Sequence, residues 1–266
     1  MIRDITIGQY YPADSIIHKL DPRVKLLAVV LYVVSLFTFR GILGFVVVTI
    51  ALAGIIKLSK VPFHFIIKGL KSIVIILLVT AVFNLFLTPG EPLVTVWKIA
   101  ITKEGLKSAV FMAIRLIYLI IGTSTLTLTT TPNQLTDGME KALRPLNKIH
   151  VPVHEVAMMM SIALRFIPIL VEETDKIMKA QIARGADFES GNLMKKAKAM
   201  VPLLVPLFIS AFRRANDLAL AMEARCYSGG AGRTKMKPLK YKKADYISYG
   251  VMLGYVALVI GIRALV

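Results

Sequence analysis

The sequence predicts an all-α integral membrane protein: about five transmembrane helices and a cytoplasmic domain of long amphipathic helices. Three observations carry that reading. Of the 266 residues, 56% are hydrophobic, and the mean hydropathy is +0.68, too apolar for a soluble domain. The apolar residues gather into five runs separated by charged or turn-forming residues. The formal net charge is nonetheless +17, which in so apolar a chain means Lys- and Arg-rich segments beside an anionic leaflet. Nucleic-acid binding is the other common use of such charge, and the long apolar runs argue against it. The single cysteine, Cys226, rules out an internal disulfide.

Residues 1–25 mix charge, Pro and Tyr (Arg3, Gly8-Gln9-Tyr10-Tyr11-Pro12) and show no cleavable signal peptide. Asp21-Pro22 is expected to start a helix, with Asp as N-cap and Pro at the first helical position. The runs 26–39 and 42–56 are each short of the roughly 20 residues that a span needs. A turn at Arg40-Gly41 makes them a hairpin of two spans. A third span, 66–87, is closed by Thr88-Pro89-Gly90. Trp97 in the following loop suits the membrane interface. The fourth span, 106–130, contains Arg115, which is costly in lipid. Either Arg115 faces a partner helix or water, or the span begins later and the side chain snorkels outward. The fifth span is 246–262.

Between the last two spans the pattern changes. Residues 131–243 hold 19 Lys and Arg against 10 Asp and Glu, and no run there reaches spanning length without a charge or a proline. The chain is thus divided into 1–130, 131–243 and 244–266. Pro132, Pro145 and Pro152 punctuate a short helix near 134–147. Residues 153–184 carry an apolar stripe through Val156, Met160, Leu164, Ile167, Val171, Thr174 and Met178, and Pro168 is expected to kink that helix. A second long helix, 193–225, has Pro202 and Pro206 early and Ala211, Ala215, Ala219 and Met222 on one face. Ser228-Gly229-Gly230-Ala231-Gly232 reads as a flexible break before a basic linker to Lys243. Positive charge concentrates before the first span, between spans two and three (Lys57, Lys60, Lys68, Lys71) and in 131–243. The positive-inside rule therefore predicts a cytoplasmic N-terminus and 131–243 block, with the C-terminus outside.

The two long helices end alike, in Ala180-Gln181-Ile182-Ala183-Arg184-Gly185 and Ala221-Met222-Glu223-Ala224-Arg225-Cys226. The arginines are 41 residues apart, each followed by an aromatic, Phe188 or Tyr227. Gly185 is a natural C-cap, and a helix C-terminus favours a cation. These are either two ordinary helix ends or two rods that grip two partner surfaces. No G-x-x-x-x-G-K-[ST] phosphate loop is present, so the chain itself is not expected to hydrolyse ATP. His150 and His154 lack the ligands to complete a metal site, and Asp137, Glu140, Glu172 and Glu173 read as solvated helix charges. No catalytic or metal-ligating residue is assigned. The spans hold no row of carboxylates of the kind an ion-coupled transporter needs. A coupling or scaffold subunit is the reading that remains.

Further residues carry a family resemblance. Ser15-x-x-His18-x-Leu20-Asp21-Pro22-Arg23-x-Lys25-Leu26, Thr131-Pro132 and Ala163-Leu164-Arg165-Phe166-Ile167-Pro168, with Ala183-Arg184-Gly185 and Ala224-Arg225-Cys226, resemble the EcfT/CbiQ family. That family comprises the transmembrane coupling subunits of energy-coupling factor (ECF) transporters, in the ABC class. The resemblance covers nearly the whole chain and departs at Cys226, where Gly is usual. It implies a non-catalytic subunit in a bacterial cell membrane, serving vitamin uptake. Its two coupling helices would dock two ABC ATPase chains, different from each other, through Ala183, Arg184, Gly185, Ala224, Arg225 and Cys226. ATP and Mg2+ would sit on those partners, with no cofactor on this chain. A small membrane S component would bind the stripe of Met159, Met160, Leu164, Ile167 and Met178. Those methionines serve either core packing or an adaptable docking surface. Partners are thus the ATPases, the S component and membrane lipid, with no nucleic acid. A CbiQ-like cobalt or nickel importer subunit and a self-contained secondary transporter are the alternatives.

Overall fold

The computed structural model describes residues 10–39, 41–71, 73–96, 99–188, 192–229, 236 and 238–265. Expectations for Arg3, Gly8-Gln9, Arg40, Trp97 and Gly230-Ala231-Gly232 fall outside the described residues. The chain is an all-α membrane protein apart from one short hairpin. It forms two compact units, one from Gly8–Met139 with Leu239–Val266, the other including Glu140–Pro238.

In the first unit, α1 (Pro22–Thr38) starts as the sequence predicts: Asp21 accepts the Arg23 N–H at 2.9 Å and Pro22 opens the helix. Next comes α2 (Ile42–Ser59). The expected third span is two helices, α3 (Phe63–Lys71) and α4 (Val74–Leu87). The loop expected after it is an antiparallel hairpin of β1 (Pro92–Val96) and β2 (Ile99–Thr102). Helix α5 (Lys103–Thr129) is capped by Thr102, whose hydroxyl accepts the Gly105 N–H at 2.9 Å. In α6 (Pro132–Leu143), Thr131 and Gln134 cap one another reciprocally, side chain to backbone. Helix α9 (Lys243–Leu265) returns to this unit.

The core draws Tyr32 and Leu36 from α1, Phe45, Val48 and Leu52 from α2, Ile66 from α3, Ile121 and Leu128 from α5 and Val259 from α9. The close approach of α1 and α5 depends on Gly122, because a Cβ there would overlap the Tyr32 ring. Tyr32 Oη donates to the Tyr118 carbonyl at 2.8 Å beside that contact.

A buried polar knot ties the two ends of this unit together. Asp245, 1% exposed, accepts the Asp21 N–H at 2.8 Å and the Lys242 N–H at 2.7 Å. Arg23 pairs with Asp21 at 2.9 Å and lies 3.9 Å over the Tyr241 ring. Lys25 donates to the Thr129 carbonyl at 2.9 Å. Burial raises the Asp21 carboxyl, but the hydrogen bonds and charge of Arg23 outweigh it and hold the group below its ordinary 3.8. Burial pushes His18 below its ordinary 6.5.

Arg115 faces a partner helix. Its Nη2 donates to the Phe39 carbonyl at 3.2 Å, and the guanidinium lies 5.6 Å from the Phe37 ring centroid. It thereby covers the negative C-terminal end of α1 with positive charge.

The second unit contains a 3₁₀ turn (Arg144–Ile149) and two 31-residue helices, α7 (Val153–Ala183) and α8 (Leu193–Glu223). Both run through their internal prolines, Pro168 in α7 and Pro202 and Pro206 in α8. Among the described residues, four helices are long and apolar enough to cross a membrane: α2, α5, α7 and α9. That set differs from the expected spans. Helix α4 has 14 residues and is about 21 Å long, too short alone for a core of roughly 30 Å. Helix α1, with 17 residues, is at the lower limit. Helix α7 joins the set because Arg165 and Pro168 interrupt its apolar sequence without ending the helix.

Candidate functional site

Among the described residues, helices α7 and α8 meet through two polar contacts. Arg214 Nη2 donates to Glu173 Oε2 at 2.7 Å. Gln181 Nε2 donates to the Pro202 carbonyl at 3.3 Å. From the first contact to the second, α7 advances toward its C-terminus while α8 retreats toward its N-terminus. The helices are therefore antiparallel where they touch, and their C-terminal tips point to opposite ends of the pair.

The tips are built identically. At the first, the Gly185 N–H bonds the Ile182 carbonyl at 2.9 Å and the Ala186 N–H bonds the Gln181 carbonyl at 2.9 Å. At the second, the Cys226 N–H bonds the Glu223 carbonyl at 2.8 Å and the Tyr227 N–H bonds the Met222 carbonyl at 3.0 Å. Each is a Schellman motif, one residue in the left-handed conformation closing two bonds back onto the last turn. Gly185 takes φ +88 and Cys226 φ +54. The replacement of Gly by Cys thus keeps the cap's geometry, at a backbone cost of about 1–2 kcal/mol. Arg184 and Arg225 occupy equivalent places, each directly before the left-handed residue, and Ala183, Arg184, Gly185, Ala224, Arg225 and Cys226 are all exposed.

On the rods behind the tips, Met159, Met160 and Ile167 are exposed and Leu164 and Met178 half-buried. A second exposed row escaped the sequence reading: Val201, Val205, Phe208 and Phe212 along α8, with Phe212 at 68% exposure. Its signal was available in the spacings of four and three, masked by the apolar residues on every side of this stretch. His154 is engaged by Glu140 at 3.0 Å. Among the described residues no group of three His, Cys, Asp or Glu could hold a metal.

The chain is similar to known proteins over most of its length. A family model described as cobalt transport protein, CbiQ, matches residues 13–236. The energy-coupling factor transporter transmembrane protein EcfT of Clostridium kluyveri is 61% identical over 250 residues, 93% of each chain. The protein of the same name from Acidaminococcus fermentans is 53% identical over 99% of this chain and 98% of its own. That from Bacillus subtilis is 46% identical over 99% of this chain and all of its own. The two capped arginine tips thus sit in a multi-pass membrane protein that belongs to the EcfT/CbiQ family, the membrane components of energy-coupling factor transporters.

Proposed function

We propose that this chain is the non-catalytic scaffold and coupling subunit of an ECF-type importer. It would transmit the ATP-driven motion of two ABC ATPase subunits to a membrane-embedded S component that captures a vitamin. The observation that carries this is the pair of equivalent arginine tips facing opposite ends of an antiparallel helix pair. Each tip would enter one ATPase, where Arg184 and Arg225 would meet acidic groups and the small residues beside them would permit close approach. Disrupting a desolvated interfacial charge pair costs roughly 2–5 kcal/mol. The exposed rows on α7 and α8 would receive the S component, and ATP with Mg2+ would stay on the ATPases. The charge distribution supports a cytoplasmic N-terminus and 131–243 block, with the C-terminus outside, in which case α7 would lie along the membrane rather than cross it.

A cobalt or nickel importer is the second reading, and the description of the matching family favours it. Identity of 46–61% to proteins named EcfT supports the first. Affinity purification from the native membrane, with mass spectrometry of what accompanies the chain, tests both. Two ATPase chains and one small apolar protein are expected, and Arg184→Glu/Arg225→Glu should lose the ATPases. No ATPase with the wild-type chain in mild detergent would contradict the proposal.

A further inference from the structure

The contacts between α7 and α8 have a symmetry that the tips share. Glu173 lies eleven residues before Arg184, and Arg214 lies eleven residues before Arg225. Eleven residues are three helical turns, about 16 Å. Each partner of the ion pair is therefore on the same side of its helix as the tip arginine, and at the same distance from it. The 2.7 Å contact is single-point: Arg214 Nη2 reaches Glu173 Oε2, while Arg214 Nε is buried without a hydrogen-bond partner. A single-point bond fixes where the helices cross and leaves the angle free, unlike a bidentate fork.

The second contact restricts that angle. Pro206 has no N–H, so the Pro202 carbonyl, four residues earlier in α8, has no intrahelical donor. Gln181 of α7 supplies the missing hydrogen bond at 3.3 Å. It is one-sided, because the residue equivalent to Gln181 in the second tip is Met222. We propose that Glu173–Arg214 is the pivot on which the two coupling helices turn, and that Gln181 bound to the Pro202 carbonyl is a releasable stay that sets their resting angle. Glu173, Arg214 and Gln181 are positioning residues: they act on the partners only through Arg184 and Arg225. This rests on the proposal that the two tips engage nucleotide-driven subunits.

The test is a spin-label distance between Lys179→Cys and Leu220→Cys, each five residues before a tip arginine, in a Cys226→Gly background. It is measured on the full complex in lipid nanodiscs, without nucleotide and with Mg-ATP plus vanadate. The parent should give one narrow distribution that moves with nucleotide. Glu173→Arg and Arg214→Glu should each broaden it about twofold and abolish the shift while partners stay bound, and the double swap should restore both, as coupling between two residues requires. Gln181→Met should move the resting distance and leave the pivot intact. Glu173→Gln covers the case in which a reversal fails to fold, and should broaden the distribution by a smaller amount. An unchanged distribution in the single variants, or no recovery in the swap, overturns the pivot. If no partner co-purifies even with the parent, the docking proposal fails, and the same distances in the free chain still decide the pivot.

Discussion

The two units differ in what they bury, although both expose large apolar side chains. In the first, side chains from α1, α2, α3, α5 and α9 bury one another in a continuous core, and Asp245 satisfies backbone donors from both ends of the fold. In the second, Val153, Ala157 and Leu203 are the buried residues of the two 31-residue helices among those described, while Met159, Phe208 and Phe212 stay exposed. A surface that apolar calls for lipid or a protein partner. The first unit has a continuous core of its own, and the second has little of one among its described residues.

Five substitutions sharpen or break that contrast. Gly122→Leu should have the largest effect on folding, about 3 kcal/mol or more, because the added side chain has no space beside Tyr32. Loss of the monodisperse peak on size exclusion in detergent would report it. Asp245→Asn should cost about 2 kcal/mol by leaving one of the two N–H groups that the carboxylate receives without its acceptor, read as a lowered melting temperature of the purified protein. At the tips, Gly185→Ala should destabilise the cap by about 1 kcal/mol and Cys226→Gly should stabilise its counterpart by a similar amount. Hydrogen exchange at Ala186 and Tyr227 should speed up in the first and slow in the second. Phe212→Ala should change stability by less than about 0.5 kcal/mol, yet reduce recovery of an apolar partner. A large loss of stability there would mean that the second unit is closed after all.

Much of the architecture is legible in the sequence because it is local. Asp21-Pro22 contains its own helix start, and an arginine before Gly185 contains its own helix end. The break between α3 and α4 is not legible. Residues 73–87 are apolar on nearly every side, so no periodicity marks where α4 begins, and although Lys68, Gly69 and Lys71 stand just before it, neither Pro nor Gly lies between Lys71 and Val74. The sequence predicts α7 as one long helix, as the structure has it, but its length as an apolar span is hidden because Arg165 and Pro168 break the apolar run. Cys226 could be read only in three dimensions, because a non-glycine residue gives no sign of a left-handed backbone. The Glu173–Arg214 pair joins residues 41 apart. Its equal spacing from the two tips was present in the sequence, but nothing in the sequence showed that the helices were antiparallel.

On the proposed function, each of the two equivalent tips holds one nucleotide-driven subunit. Native mass spectrometry of the complex, in the wild type and in Arg184→Glu and Arg225→Glu singly, tests it most directly. Two ATPase subunits per chain are expected in the wild type and one in each single variant, the retained subunit differing between the variants where the two chains differ. Two retained subunits in both variants, or none in the wild type, would contradict it.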